Sequence, residues 1–449
     1  MSDSLQDKMS GSLQKKMSES LQKKMDLVFR SLLHTEHEFC SFEELSEKVV
    51  FEENMSREDR FKAVVDTVCK YTINTKDNTW MAKLYGGGTE MSFIAEMIIS
   101  YYNQNCHTYS SSPIFTFTEE QIINKMIGYV GYQAGASGLF LPGGSYCTLV
   151  GMICARYKKF PSSKKGGLYH PVQVITSVNS HYSVDKGAIM MGMGTDNVIK
   201  IDFEKTTPQE FEEIVVNNNV FMINSTFGTT CEGTIETVDK FSNILKKYNI
   251  WHHIDACVSG IALFSTKYRY LTASFKEADS ITIDCHKCLN LNLQCSFLLV
   301  REGELLGDVS RITAPYLFHQ DSEYDIANRS FTCGRRADGF KLWFCDQLDD
   351  LDAQATLIYD RNARFKKIIA DDPRFIGVVE YSMTHTCFKL VTEKEVKIHE
   401  ITAVLRREGV YIEYHNDFFR AVVVNDNIEE GVFKDILDRI IAVHHRLVD

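Results

Sequence analysis

Ser280-Ile281-Thr282-Ile283-Asp284-Cys285-His286-Lys287 is an alternating apolar strand that ends on a His-Lys pair. A lysine that closes a buried strand is costly, because a desolvated ammonium is disfavoured and its pKa falls. That cost suits a nucleophilic amine or a Schiff-base lysine. A surface lysine just past a strand end is the competing account, and the flanking sequence has to choose between them.

Working outward, apolar runs at 172–178, 197–201, 219–223, 251–254, 280–283 and 296–300 alternate with helical patterns near 145–159, 183–191, 208–216 and 236–248. This order predicts parallel strands with crossover helices, an open α/β sheet whose ligand lies beyond the carboxyl ends of the strands. Four features fall there. Gly143-Gly144-Ser145-Tyr146 opens a helix and offers backbone N–H groups to a phosphate, or is an ordinary turn and cap. Asp255 ends a strand and fits a metal, a ribose, a protonated ring nitrogen or a helix cap. His181 follows the strand at 172–178, as a site imidazole or a capping histidine. Lys287 is the fourth. Together they match the needs of pyridoxal phosphate: an amine, a carboxylate for the ring nitrogen, a planar group over the ring and a phosphate cradle.

The remaining chain divides into a 1–25 octad-repeat extension (SLQDKMSG, SLQKKMSE, SLQKKM), a helical segment over 26–109, a large α/β domain over 110–345 and a small C-terminal α/β domain over 346–449. In the last, strands are expected near 375–380, 386–391, 410–414 and 419–424, with helices near 396–408 and 428–446. The octads place Leu and Met every four residues, a membrane-surface or partner stripe or a tolerated extension.

Composition narrows the class. With 449 residues, 44% hydrophobic and 24% charged, the chain is long enough for several domains, and a net charge of −11 argues against general nucleic-acid binding. No apolar run is long enough for a membrane span, and the N-terminus lacks a secretory core. Thirteen cysteines with no pair of CxxC spacings, and fourteen histidines with no HExxH, point to reduced thiols, no metal and a cytoplasmic location.

From about Trp80 onward the chain resembles the group II pyridoxal-phosphate-dependent amino acid decarboxylases, and most of all the glutamate and cysteine-sulfinate branch. The resemblance rests on ARYKKFP at 155–161, SHYSVDKGA at 180–188, GTDNVI at 194–199, FGTTCEGT at 227–234, HHIDA at 252–256, HK at 286–287, LQCS at 293–296, CGRRAD at 333–338 and FFR at 418–420. It implies an aminotransferase-like fold (fold type I), pyridoxal 5'-phosphate as cofactor, and an obligate homodimer with sites at the subunit interface. Lys287 matches the Schiff-base lysine and His286 its neighbour. Asp255 matches the partner of the pyridine nitrogen, with Ala256 beneath the ring, His181 on its other face and Thr230 near the ring hydroxyl. Ser145, Tyr146 and Ser280 match the phosphate-holding positions. Arg420 matches the arginine for the substrate's alpha-carboxylate, and Asn105, His107 and Lys83 fall where the side chain is read. The implied reaction is alpha-decarboxylation of an acidic L-amino acid such as glutamate, aspartate or cysteine sulfinate.

Two departures stand out. Asp284-Cys285 replaces the family's usual Asn-Pro, and the loop from Tyr324 to Cys333 is short, with no evident match for the tyrosine that protonates the carbanion. An oxidative aldehyde synthase and a catalytically silent member are therefore the alternatives.

Overall fold

The computed structural model describes residues 19–33, 35, 37–312, 324–394, 396–425 and 428–448. Most of the octad repeat, residues 1–18, lies outside the described residues. The chain forms two compact units. One comprises residues up to Thr75 with Arg406–Gly409, the other Lys76–Leu405 with Val410–Asp449.

In the smaller unit a helix over 19–33 precedes the helices Phe42–Lys48 and Arg57–Tyr71. Ser41 and Glu44 form a reciprocal capping box, and Ser56 caps the next helix through the Asp59 N–H.

The larger unit is built on a seven-stranded sheet: β1 (Ser137–Leu141), β2 (Gln173–Ser177), β3 (Val198–Ile201), β4 (Val220–Thr226), β5 (Trp251–Asp255), β6 (Ser280–Asp284) and β7 (Ser296–Val300). Their spatial order is β1-β7-β6-β5-β4-β2-β3. The run from β3 to β6 is parallel, as the alternation of strand and helix predicts. Three details correct the expectation. β7 is antiparallel to β6 and to β1, because the eleven residues between β6 and β7 contain no crossover helix. β1 itself was not anticipated as a strand. The helix expected over 236–248 is shorter, a 3-10 turn at Asp239–Phe241 followed by Ser242–Lys247.

Strand alternation decides what lies under the site. Ile281 and Ile283 enter one core with Ile254, Phe297 and Leu299, each such buried side chain contributing about 1.5–3 kcal/mol. Ser280, Thr282 and Asp284 face the other way, beneath the helix Gly144–Lys159. That helix approaches closely because it presents glycines. A Cβ on Gly151 would sit 3.0 Å from His253 Nδ1, and one on Gly144 would sit 2.3 Å from Cys257 Sγ.

A second sheet of four antiparallel strands, ordered β10-β11-β9-β8, comprises β8 (Phe375–Gly377), β9 (His385–Leu390), β10 (Glu413–His415) and β11 (Phe418–Val422). The strand expected at 410–414 falls slightly later, and a tight turn with Asn416 at φ 51° joins it to β11. Helices Leu351–Asp371 and Glu430–Val448 close this core through Phe365 stacked on Phe433, with ring centroids 4.1 Å apart. The fold is thus α/β, with a large, mostly parallel sheet and a smaller C-terminal sheet.

Candidate active site

Asp255 and Lys287 reach the same end of the large sheet from adjacent strands. Asp255 is the last residue of β5, in register with Thr282 of β6, and its Oδ1 accepts the Cys257 N–H at 3.1 Å. Lys287 stands one turn past β6. That turn is pinned by Cys285 N–H to Cys295 O at 2.8 Å and by Asn290 N–H to Lys287 O at 2.9 Å. Ala256, fully buried, follows Asp255 directly.

The charge balance is unusual. Lys287 Nζ donates to Asp284 Oδ2 at 3.0 Å, and the Asp284 side chain is 3% exposed. Burial alone would depress the Lys287 ammonium, but the Asp284 carboxylate, with Cys257 and Asp255 behind it, holds its pKa above the ordinary lysine value. Burial likewise works against the Asp284 carboxylate, yet Lys287 and His286 pull it below the ordinary range. His286 Nδ1 lies 3.1 Å from Cys295 O and 3.2 Å from Ser296 Oγ, and burial lowers its pKa.

His181 occupies the turn between β2 and the helix Ser183–Met190. Its Nδ1 accepts the Ser183 N–H at 3.3 Å, which leaves Nε2 to carry the proton of the neutral ring. Its pKa is lowered, first by burial and then by Lys287, against the pull of Asp255 and Asp284. These four residues therefore share one electrostatic environment.

The Gly144–Lys159 helix begins at the same place. Its N-cap, Gly143, has φ 98° and supplies no side-chain cap, so the first turn faces Asp284 through backbone alone. Ser145 is exposed there and Tyr146 half-buried. Ser280 does not join them. It begins β6, about 13 Å up the strand from Asp284 at 3.3 Å per residue, and its buried hydroxyl is taken by Trp251 Nε1 at 2.8 Å and His253 Nδ1 at 2.7 Å. The sequence match at Ser280 thus falls on a core hydroxyl.

Thr230 and Arg420 belong to a neighbouring group. The Arg420 guanidinium donates from Nη1 to Thr230 O at 3.0 Å and from Nη2 to Ala82 O at 2.8 Å, leaving Nε buried without an acceptor. Lys83 pairs with Glu413 at 2.7 Å, and Glu413 is the β10 partner of Arg420. Sequence reasoning missed His385 here. Its Nε2 also reaches Thr230 O, at 3.1 Å, and burial followed by Arg420 pushes its pKa down to about 3. A buried histidine heading a strand carried no motif that could have marked it.

Asn105 and His107 form a third group. Asn105 Oδ1 accepts the Arg335 N–H at 2.9 Å, His107 Nδ1 lies 3.2 Å from Asn105 O, and His107 O accepts the Ala327 N–H at 2.9 Å. These bonds tie both residues to the CGRR segment and the turn at 325–328 rather than to the Lys287 turn. Tyr324, half exposed, touches the Tyr109 ring at 5.9 Å between centroids. Among the described residues, no set of three or more His, Cys, Asp or Glu is arranged to hold a metal ion, and no helix is long and apolar enough to cross a membrane.

Comparisons with known proteins identify the family and the fold. An acidic amino acid decarboxylase, GADL1 of Xenopus tropicalis, is 36% identical over 306 residues, which is 65% of this chain and 60% of that protein. The cysteine sulfinic acid decarboxylase of Mus musculus is 33% identical over 292 residues, covering 62% of this chain and 59% of the relative. The chain thus spans about 60% of the length of the curated relatives it matches. In structure, mouse CSAD superposes with a TM-score of 0.86 at 24% identity over 94% of this chain and 98% of its own. A Rhodiola rosea 4-hydroxyphenylacetaldehyde synthase superposes at 0.81 with 19% identity, over 98% of this chain and 99% of its own, a likeness of fold. Residues 43–391 match the family described as the pyridoxal-dependent decarboxylase conserved domain, and with Asp255, His181 and Lys287 gathered at one sheet end the chain belongs to that family.

Proposed function

We propose that this protein removes the alpha-carboxylate of an acidic L-amino acid as carbon dioxide and releases the amine, using pyridoxal 5'-phosphate. The observation behind this reading is the shared environment of Asp255, His181 and Lys287 beside a helix N-terminus that has no side-chain cap. The residues fit the cofactor at three points: Lys287 offers the amine, Asp255 a buried carboxylate for the pyridine nitrogen, and Ala256 a small floor. Ser145, Tyr146 and Thr230 complete the proposed contacts, while the phosphate would be held at the helix start, beside the Asp284 carboxylate.

When bound, the cofactor supplies an electron sink for the pair left by the departing carboxylate. Asp255 would keep a proton on the ring nitrogen and so maintain that sink. His181 would cover the ring face and exclude water. Lys287 would hold the cofactor through its side-chain amine. Arg420 is the proposed partner of the substrate carboxylate, a task suited to a planar guanidinium whose Nε has no acceptor. Lys83, Asn105 and His107 are the proposed readers of the side chain. Because Asn105 and His107 are bonded away from the Lys287 turn, we assign them to the site of a second copy in a homodimer. A cytoplasmic location, with residues 110–345 as cofactor domain and 346–449 as small domain, completes the proposal.

Oxidative release of an aldehyde, with ammonia and peroxide formed from oxygen and water, is the second reading. The short loop from Tyr324 to Cys333 favours it, because beyond Tyr324 itself that stretch contains no tyrosine to serve as a proton donor. Incubating the cofactor-loaded protein with acidic, aromatic and small amino acids separates the two. Carbon dioxide and amine from glutamate, aspartate or cysteine sulfinate are expected, and aldehyde with peroxide would overturn the first reading.

A further inference from the structure

At the end of β6 a carboxylate stands where an anion would be received. A Cβ on Gly144, the first residue of its helix, would lie 2.8 Å from both Asp284 oxygens, so the carboxylate presses directly on the helix's first turn. Asp284 Oδ2 is held by Lys287 Nζ at 3.0 Å, with His286 Nε2 at 3.8 Å. Oδ1 is buried and has no hydrogen-bond partner. An ionised oxygen with no donor is costly in a site only 2% exposed. Lys287, His286 and the Ser296 hydroxyl of β7 favour its ionised form, and the helix N-terminus adds its positive field to theirs.

We infer that Asp284 sets the cofactor affinity of this site. As a fixed internal carboxylate, it competes with the cofactor's phosphate for the N-terminus of the Gly144–Lys159 helix. This inference rests on the cofactor assignment proposed above. A neutral amide of the same shape would leave the helix field to the ligand and add a donor, whereas the carboxylate adds repulsion that the Lys287 ammonium offsets only in part. The group recognised is the phosphate monoester, so the effect belongs to ligands that bear it and not to the pyridine ring.

The test titrates the full chain, freed of cofactor, and its Asp284→Asn variant with pyridoxal 5'-phosphate and with pyridoxal, following the visible absorbance of attachment to Lys287. The unmodified chain should prefer the phosphorylated ligand by no more than about tenfold, and Asp284→Asn should widen that preference by about tenfold or more, over and above any change that the freed Lys287 amine makes to both ligands alike. An equal gain for both ligands would mean that Asp284 acts through Lys287 alone and would overturn the inference. So would a preference of about a thousandfold in the unmodified chain, a measurement that stands even if the variant does not fold. Failure of both ligands to attach to the unmodified chain would instead defeat the cofactor assignment.

Discussion

His385 Nε2 and Arg420 Nη1 converge on one acceptor, the carbonyl oxygen of Thr230, at 3.1 and 3.0 Å. The turn at 228–234 is thereby held from β9 and β11 at once. At φ 99° this turn takes Gly228 only as a glycine, because a Cβ there would meet Ser259 Oγ at 2.3 Å.

Arg420→Lys keeps the charge and loses the fork. It should raise KM for the amino acid by about tenfold or more with a smaller change in kcat, because a planar two-point contact becomes a point charge. Steady-state kinetics decide this, and an unchanged KM would remove Arg420 from substrate binding.

Lys287→Ala should abolish covalent attachment of the cofactor and also destabilise the cofactor-free chain, because it removes the nearest cation from the buried Asp284 carboxylate. Removing one partner of such a pair costs about 3–5 kcal/mol, and adding Asp284→Asn should recover much of the loss. Urea unfolding of the two single variants and the double variant measures the coupling. Simple additivity would mean that the 3.0 Å pair contributes little.

Burial pushes three histidines far below their ordinary value: His252 to about 3, His253 to about 4 and His385 to about 3. Below pH 6.5 the unfolded chain therefore binds protons that the folded chain refuses, and stability falls as the pH drops. The loss should reach a few kcal/mol by about pH 5, partly offset by Glu236, Asp279 and Asp338, whose carboxyls burial raises. Urea midpoints at several pH values test it, and a flat profile between pH 7 and 5 would count against buried neutral imidazoles.

Gly144→Ala places a methyl 2.3 Å from Cys257 Sγ and 2.8 Å from the Asp284 oxygens. Overpacking of this kind costs about 1–3 kcal/mol and pushes the helix off β6, so cofactor uptake should fall more than thermal stability does. Gly431→Ala, where no atom lies within 4 Å of the added Cβ, is the matched control.

Much of this was legible in the sequence, for identifiable reasons. The parallel strands announced themselves because buried strands read as short apolar runs, and Asp255 and Lys287 were locatable as polar residues terminating such runs. The direction of β7 was not legible, because periodicity is blind to strand polarity and the cue was only the absence of a helix between Asp284 and Ser296. Ser280 misled because motif matching ignores which end of a strand faces the ligand. His385 was silent because its role is carried by one ring nitrogen on a distant carbonyl, a contact that spans 155 residues.

The contacts of Arg420 span 190 and 338 residues, whereas the sheet that places Asp255 and Lys287 is complete by Val300. Synthesis from the N-terminus therefore separates two events in time: the amine end of the site can take shape on the ribosome while the guanidinium is still untranslated.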